Sequence, residues 1–177
     1  MDPAQSATFR IGAVDLNGQL RGKRLPSEHL AKLDKGGARL PLSALNLDIW
    51  GCDIENSPLV FESGDADGVL TPSPRGAVPM PWLKTPSQLV LMGMTNEDGS
   101  PFMGDPIQAL ATVLERYAAR GWTVVAATEM EFTLVDDSGA HLVPPKHPRN
   151  GRQLDASEIL SVSELDAFDG FFSDIYD

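Results

Sequence analysis

The chain has 177 residues, 14 basic and 25 acidic, for a net charge of −11, and 42% of its residues are apolar. The apolar share is that of an ordinary globular protein with a core to bury, while the acidic balance excludes a non-specific nucleic-acid binder, which needs a basic footprint. The single cysteine, Cys52, excludes an internal disulfide framework and a cysteine metal cluster, and no apolar run approaches the ~18 residues of a membrane span.

Residues 1 to 8 lack the basic and then apolar profile of a signal peptide, so a cytoplasmic location is expected. Thr8 to Leu16 reads as a strand. Asn17-Gly18 signals a tight hairpin, because both central residues of a type I′ turn need positive φ. Gln19 to Leu25 reads as the return strand. Pro26-Ser27-Glu28 opens a short helix to Leu33, which Lys35-Gly36-Gly37 ends. From Leu40 to Pro58 the apolar residues fit neither period, and a strand end followed by a long loop is expected.

Gly64-Asp65-Ala66-Asp67-Gly68 is a turn cluster. Prolines at 72, 74, 79, 81 and 86 argue against a long helix or a central strand. Gln88 to Met94 reads as a strand, and Asn96-Glu97-Asp98-Gly99 as a turn. Residues 8–103 are therefore expected to form one small, mostly β domain, and residues 105–177 the start of a second, α+β one. Asp105 suits an N-cap and Pro106 the first helical position. Ile107, Leu110, Ala111, Leu114, Tyr117 and Ala118 recur with helical spacing up to Gly121, a C′ glycine. Thr123 to Val135 reads as a strand, and 136–154 as a loop or hairpin. From Ser163 a tail helix is expected, with Leu165, Phe168, Phe172, Ile175 and Tyr176 on one face. It shows no stop signal before Asp177, which predicts that the chain is a piece of a longer protein. Seven acids and no base follow Arg152, a pattern expected of a solvated face.

Most polar clusters have ordinary structural roles. Asp65, Asp67 and Gly68 suit a tight turn. Arg21, Lys23 and Arg24 suit a charged edge strand. His29, His141 and His147 have no ligand spacing, and no phosphate-loop motif occurs. Glu129 and Glu131 are different. Alternation on a strand would place them on one face, about 6.5–7 Å apart at Cα, opposite the apolar Met130 and Phe132. Two anions that close need solvent or a cation between them, and magnesium or manganese takes carboxylate oxygen. Spacing alone leaves both readings open, with the solvated face ahead, although Glu is depleted in strands.

Four segments, in order, resemble the glutamine synthetase family. They are Asp15-Leu16-Asn17-Gly18-Gln19-Leu20-Arg21-Gly22-Lys23-Arg24-Leu25-Pro26; Gly64-Asp65-Ala66-Asp67-Gly68 with Pro72 and Pro81-Trp82; Pro101-Phe102-Met103-Gly104-Asp105-Pro106; and Glu129-Met130-Glu131-Phe132. The resemblance implies a β-grasp-like N-terminal domain followed by the beginning of an α+β catalytic domain. It implies an ATP-dependent ligase joining glutamate to an amine through a γ-glutamyl phosphate, with Mg2+ or Mn2+ held in part by Glu129 and Glu131. It further implies a homo-oligomeric ring, by resemblance a dodecamer, in which the stretch between Ser43 and Asp67 lies nearest a neighbouring subunit's chemistry. True glutamine synthetases carry an Asp-Gly-Ser-Ser run that helps hold ammonium. The matching stretch here is Pro41-Leu42-Ser43-Ala44, without the aspartate, and Ile107 stands where many relatives have Arg. The missing aspartate, with the Asp15-Leu16-Asn17-Gly18 and Arg21-Gly22-Lys23-Arg24 style of the first hairpin, resembles the branch that uses larger amines, such as the γ-glutamylpolyamine synthetases. The remaining ligands of that family lie beyond residue 177, so the piece alone is expected to be inactive. Two alternatives remain: a non-catalytic interaction module, and ammonia as the amine.

Overall fold

The computed structural model describes residues 8–35, 37–85, 87–155 and 160–176. Gly36, Pro86, Glu158 and Asp177, which enter the sequence reading, lie outside them. Contacts divide the chain into two compact units, one ending at Val125 and the other starting at Ala126.

The first unit is built on a five-stranded mixed sheet in the order β2-β1-β5-β4-β3. The strands are β1 (Thr8–Val14), β2 (Leu20–Pro26), β3 (Ala38–Pro41), β4 (Asp67–Met80) and β5 (Ser87–Thr95). Neighbours run antiparallel except β1 and β5, which are parallel. Side chains alternate across a strand, and one set makes the core: Phe9, Ile11 and Ala13, Val90, Met92 and Met94, with Leu70, Ala38 and Leu40. Leu33, from a 3₁₀ segment Ser27–Lys35, and Leu45, from a 3₁₀ turn Leu42–Leu45, join this cluster with Phe102. A single helical turn, α1 (Pro58–Phe61), stands in the stretch before β4.

The first hairpin corrects the type I′ expectation. Of its turn residues only Gly18 takes positive φ, at 77°. Asp15 N–H donates to the Gln19 carbonyl at 2.9 Å and Gly18 N–H to the Asp15 carbonyl at 3.0 Å. The loop thus has three residues and closes on a left-handed glycine, the next common hairpin solution. The Asp15 carboxylate decides between the two. Its Oδ1 accepts the N–H of Asn17 and of Gln19, each at 2.8 Å.

The prolines also behave differently from expectation. β4 is 14 residues long and contains Pro72, Pro74 and Pro79. It pairs with β3 only over residues 67–70, before the first proline. Beyond that it has β5 alone as a partner, and the register shifts between Pro72 and Ala77. An edge with one free side and an irregularity tolerates proline, where a strand paired on both sides does not.

Helix α2 (Pro106–Ala118) forms as read, capped by Asp105. Its end is also as read. Gly121 has φ 72°. Its N–H donates to the Ala118 carbonyl at 2.9 Å and the Trp122 N–H to the Tyr117 carbonyl at 3.1 Å. The Tyr117 and Trp122 rings, 6.1 Å apart, supply the apolar contact that accompanies such an end.

The expected strand over Thr123–Val135 is absent. The segment has no ladder partner among the described residues, and residues 121–133 are all exposed. A β-rich apolar pattern makes a segment fit to pair but does not supply the neighbour that turns it into a strand. In the second unit, isolated bridges join Asp136 to Val143 and Lys146 to Gln153. The expected tail helix is two short ones, α3 (Val162–Ala167) and α4 (Asp169–Tyr176). The break falls at Phe168 (φ −104°, ψ 19°), just before Asp169-Gly170, two poor helix-interior residues.

Candidate functional site

The residues singled out in the sequence fall into separate places. At the first hairpin, Asp15 is 1% exposed. Its Oδ2 accepts from Arg21 Nε at 2.8 Å, an ion pair with a buried acid and a partly exposed base. Burial pushes the Asp15 carboxyl up, but the Arg21 hydrogen bond, the Gln19 and Asn17 N–H groups and the Arg21 charge outweigh it and hold the carboxyl below its usual value. β2 is an edge strand of the sheet, so Arg21, Lys23 and Arg24 occupy a charged edge, as read. The buried acid was not legible from composition. Its signal was an Asp two residues before Asn-Gly and six before an Arg.

Asp65 lies in the turn before β4 with φ 57°, and accepts from Ser43 Oγ at 2.6 Å. Gly68 is not a turn residue. It stands in β4, where an added Cβ would lie 2.7 Å from Met94 Cγ and 2.8 Å from Leu42 Cδ2.

Asp105 is fully buried. Its Oδ1 accepts from the Ile107 N–H at 2.8 Å, which is the expected cap. Its Oδ2 accepts from the Met94 N–H at 2.6 Å, which the sequence did not announce. One carboxylate therefore fastens the end of β5 to the start of α2.

Glu129 and Glu131 lie in the unpaired segment, both exposed. Neither forms a hydrogen bond or ion pair with another described residue. Their donor chemistry, hard carboxylate oxygen, fits magnesium or manganese. They make two ligands at most, for no group of three His, Cys, Asp or Glu able to hold a metal ion occurs among the described residues. The paired strand expected to carry them is not formed.

From Phe132 onward, the second unit has an open apolar groove of about 660 Å³. Phe132, Leu134, Leu142, Leu165, Phe168 and Phe172 are among its walls. Phe132 stacks edge-on against Phe171 at 5.9 Å between centroids. The helical spacing of Leu165, Phe168 and Phe172 had placed these on one face, but nothing in the sequence joined them to Phe132. Cys52 is exposed. Among the described residues no helix is long and apolar enough to cross a membrane.

Comparison with known proteins gives this arrangement its class. Residues 103–177 match the family described as glutamine synthetase, catalytic domain. The γ-glutamylputrescine synthetase of Escherichia coli (strain K12) is 35% identical over 172 residues, 92% of this chain and 35% of that protein. A glutamate–methylamine ligase of Methyloversatilis universalis is 30% identical over 131 residues, 74% of this chain and 27% of that protein. In three dimensions the chain is similar to a protein whose crystal structure is titled a novel glutamine synthase homolog, with a TM-score of 0.57 and 22% identity. That likeness covers 65% of this chain and 27% of the other, and it concerns the fold. The chain thus resembles the glutamine synthetase family. It spans about a third of the length of the curated relatives it matches.

Proposed function

We propose that this chain is the N-terminal part of an ATP-dependent carboxylate–amine ligase that joins glutamate to an amine through a γ-glutamyl phosphate. The observation that carries this reading is the 35% identity to γ-glutamylputrescine synthetase across 92% of the chain. The relatives are named for putrescine, isopropylamine, ethanolamide and methylamine products or substrates. That range, with no aspartate in Pro41-Leu42-Ser43-Ala44, supports an alkylamine over ammonia.

Residues 8–103 are assigned as the β-grasp-like domain, supported by the parallel pairing of β1 and β5 between an antiparallel hairpin and β4. Residues 105–177 are assigned to the catalytic domain, supported by the family match that begins at residue 103. Glu129 and Glu131 are assigned as ligands for Mg2+ or Mn2+, which when bound would neutralise phosphate charge. Their free, exposed carboxylates and the Glu-x-Glu-Phe motif support this. ATP, glutamate and the amine are assigned as substrates, and a cytoplasmic homo-oligomeric ring, a dodecamer by resemblance, as the working form. The stretch between Ser43 and Asp67 is assigned to the side of a neighbouring subunit's chemistry.

A second reading, a non-catalytic interaction module, is favoured by one observation: no residue of α2 is buried, and Leu110, Val113, Leu114 and Tyr117 are all exposed. Glutamate- and amine-dependent ADP release separates the two. The ligase reading expects release from a protein that carries this chain with the remaining two thirds of the family's length, and none from the 177 residues alone. Absence of release from the longer protein with every alkylamine tried would remove that reading.

A further inference from the structure

Two of the five asparagines are followed by glycine, Asn17 by Gly18 and Asn150 by Gly151. In such a pair the asparagine amide is open to attack by its own main chain, because glycine has no side chain to screen its nitrogen. Both asparagines are exposed, and the two glycines take φ of 77° and 68°. The glycine nitrogens are also engaged alike. Gly18 N–H donates to the Asp15 carbonyl at 3.0 Å, and Gly151 N–H to the His147 carbonyl at 2.8 Å. The two sites differ in what holds the asparagine side chain.

At Asn17 the nitrogen that would leave is held. Its Nδ2 donates to the Leu47 carbonyl at 3.0 Å and to the Asp48 carbonyl at 3.1 Å. Both bonds are lost if that nitrogen departs. A carboxylate formed there would also stand beside the buried Asp15 carboxylate, whose Oδ1 accepts the Asn17 N–H. At Asn150 the arrangement is reversed. Nδ2 donates to no described residue, whereas Oδ1 accepts the Arg152 N–H at 2.9 Å. A donor on that oxygen stabilises the negative charge that gathers there when a nucleophile adds to the carbon. The turn around it is closed by His147 N–H donating to the Arg152 carbonyl at 2.9 Å, within a bridge between Lys146 and Gln153. That turn carries Lys146, Arg149 and Arg152 and no acid, so a new carboxylate there meets opposite charge.

We propose that Asn150 is a site of spontaneous deamidation, and that the fold protects Asn17 from the same reaction. The Gly151 nitrogen adds to Asn150 Cγ. The Cγ–Nδ2 bond then breaks, and Nδ2 leaves as ammonia with the proton given up by the Gly151 nitrogen. The product is a cyclic imide. Water opens it at Cγ to give aspartate, or at the main-chain carbonyl to give isoaspartate, in which the chain runs through Cγ. No oxidant or reductant takes part, and the inference holds whatever the chain catalyses.

The test is incubation of the 177-residue chain at mildly alkaline pH, followed by peptide mapping by mass and by isoaspartate content. In the folded chain, conversion at Asn150 should be at least about tenfold faster than at Asn17, the effect of the hydrogen bonds that Asn17 must lose. In urea the two sites should convert at rates within about twofold of each other, because these bonds are gone. Equal rates in the folded chain, or Asn17 ahead, would overturn the proposal. A difference that persists in urea would also overturn it, since sequence and not structure would then set the rates. So would an Asn150 that stays intact in the folded chain for as long as the unfolded chain takes to convert.

Discussion

The Asp105 carboxylate receives the backbone N–H of Met94 at 2.6 Å, with both residues fully buried. Its other oxygen caps α2 through the Ile107 N–H at 2.8 Å. The last part of β5 and the first turn of α2 are therefore not independent. Removing the carboxylate costs a helix cap and leaves a buried N–H without its partner. Asp105→Ala should lower the stability of the chain by about 2–4 kcal/mol, the sum of a cap and an unsatisfied buried donor. Asp105→Asn keeps one acceptor oxygen and should lose less. Urea unfolding of the three proteins checks the order.

Asp15 gives a pH dependence. Its folded pKa is lowered, with burial opposing and the Arg21, Gln19 and Asn17 hydrogen bonds prevailing. A lowered acid contributes stability that is present above its unfolded pKa, about 3.9, and is lost as pH falls through the folded value. Asp98 and Asp136 are lowered too, held by Ser100 and Ser138, and act in the same direction. The difference between the parent and Asp15→Asn isolates the hairpin. That difference in Tm should be largest near neutral pH and shrink below about pH 4. A constant difference down to pH 2 would show that the carboxylate charge is not what Asp15 contributes.

Two glycines of the same hairpin should respond very differently to alanine. Gly18 takes φ 77° at the tip with open space around it, so Gly18→Ala meets only backbone strain, about 1–2 kcal/mol. Gly22 is opposite Gly12 in the β1–β2 ladder, and its added Cβ would fall 1.8 Å from the Ile11 carbonyl oxygen. Backbone cannot yield there without parting the strands. Gly22→Ala should therefore destabilise by several times more than Gly18→Ala, and circular dichroism should show loss of sheet. Equal Tm values for the two variants would contradict this.

The first unit was legible in the sequence where local chemistry decided the outcome. The cap at Asp105, the end at Gly121 and the strands β1, β2 and β5 all follow from residues within a few positions of one another. The misses share a cause. β4 was obscured because its prolines are tolerated only through its one-sided pairing, a fact about β3 and β5. The Thr123–Val135 strand was over-read because its pattern records a fitness to pair and no partner. The role of Asn17 depends on the Leu47 and Asp48 carbonyls, about thirty positions away, which no local signal reports. For the candidate site, the Glu-x-Glu-Phe motif was visible but its geometry was not, since that requires a neighbouring strand.

Exposed apolar side chains in each unit predict association. Leu110, Val113, Leu114 and Tyr117 on α2 are exposed, as are Val125, Met130 and Phe132. Apolar area of this kind draws copies together or into aggregates. The 177-residue chain should be oligomeric or aggregation-prone, and Leu110→Lys with Leu114→Lys should reduce this. A monomer mass from light scattering that does not change with concentration would count against it.

Glu129 and Glu131 carry the last expectation. In this chain both are exposed and free of partners among the described residues, and no third ligand joins them. Magnesium keeps most of its waters and binds so incomplete a site weakly. The 177 residues should therefore take up Mn2+ only at millimolar concentration by electron paramagnetic resonance, and Glu129→Ala with Glu131→Ala should abolish even that uptake. In a protein that carries the rest of the catalytic domain, either single alanine should eliminate glutamate- and amine-dependent ADP release, because phosphate charge would be left without its counter-ion. The conservative Glu129→Gln should fail as well, since it keeps the shape and loses the charge. Near-parent turnover in either alanine variant, with an unchanged circular dichroism spectrum, would reject these two residues as ligands. It would leave the resemblance to the glutamine synthetase family standing, and would move the search for the metal site to other carboxylates.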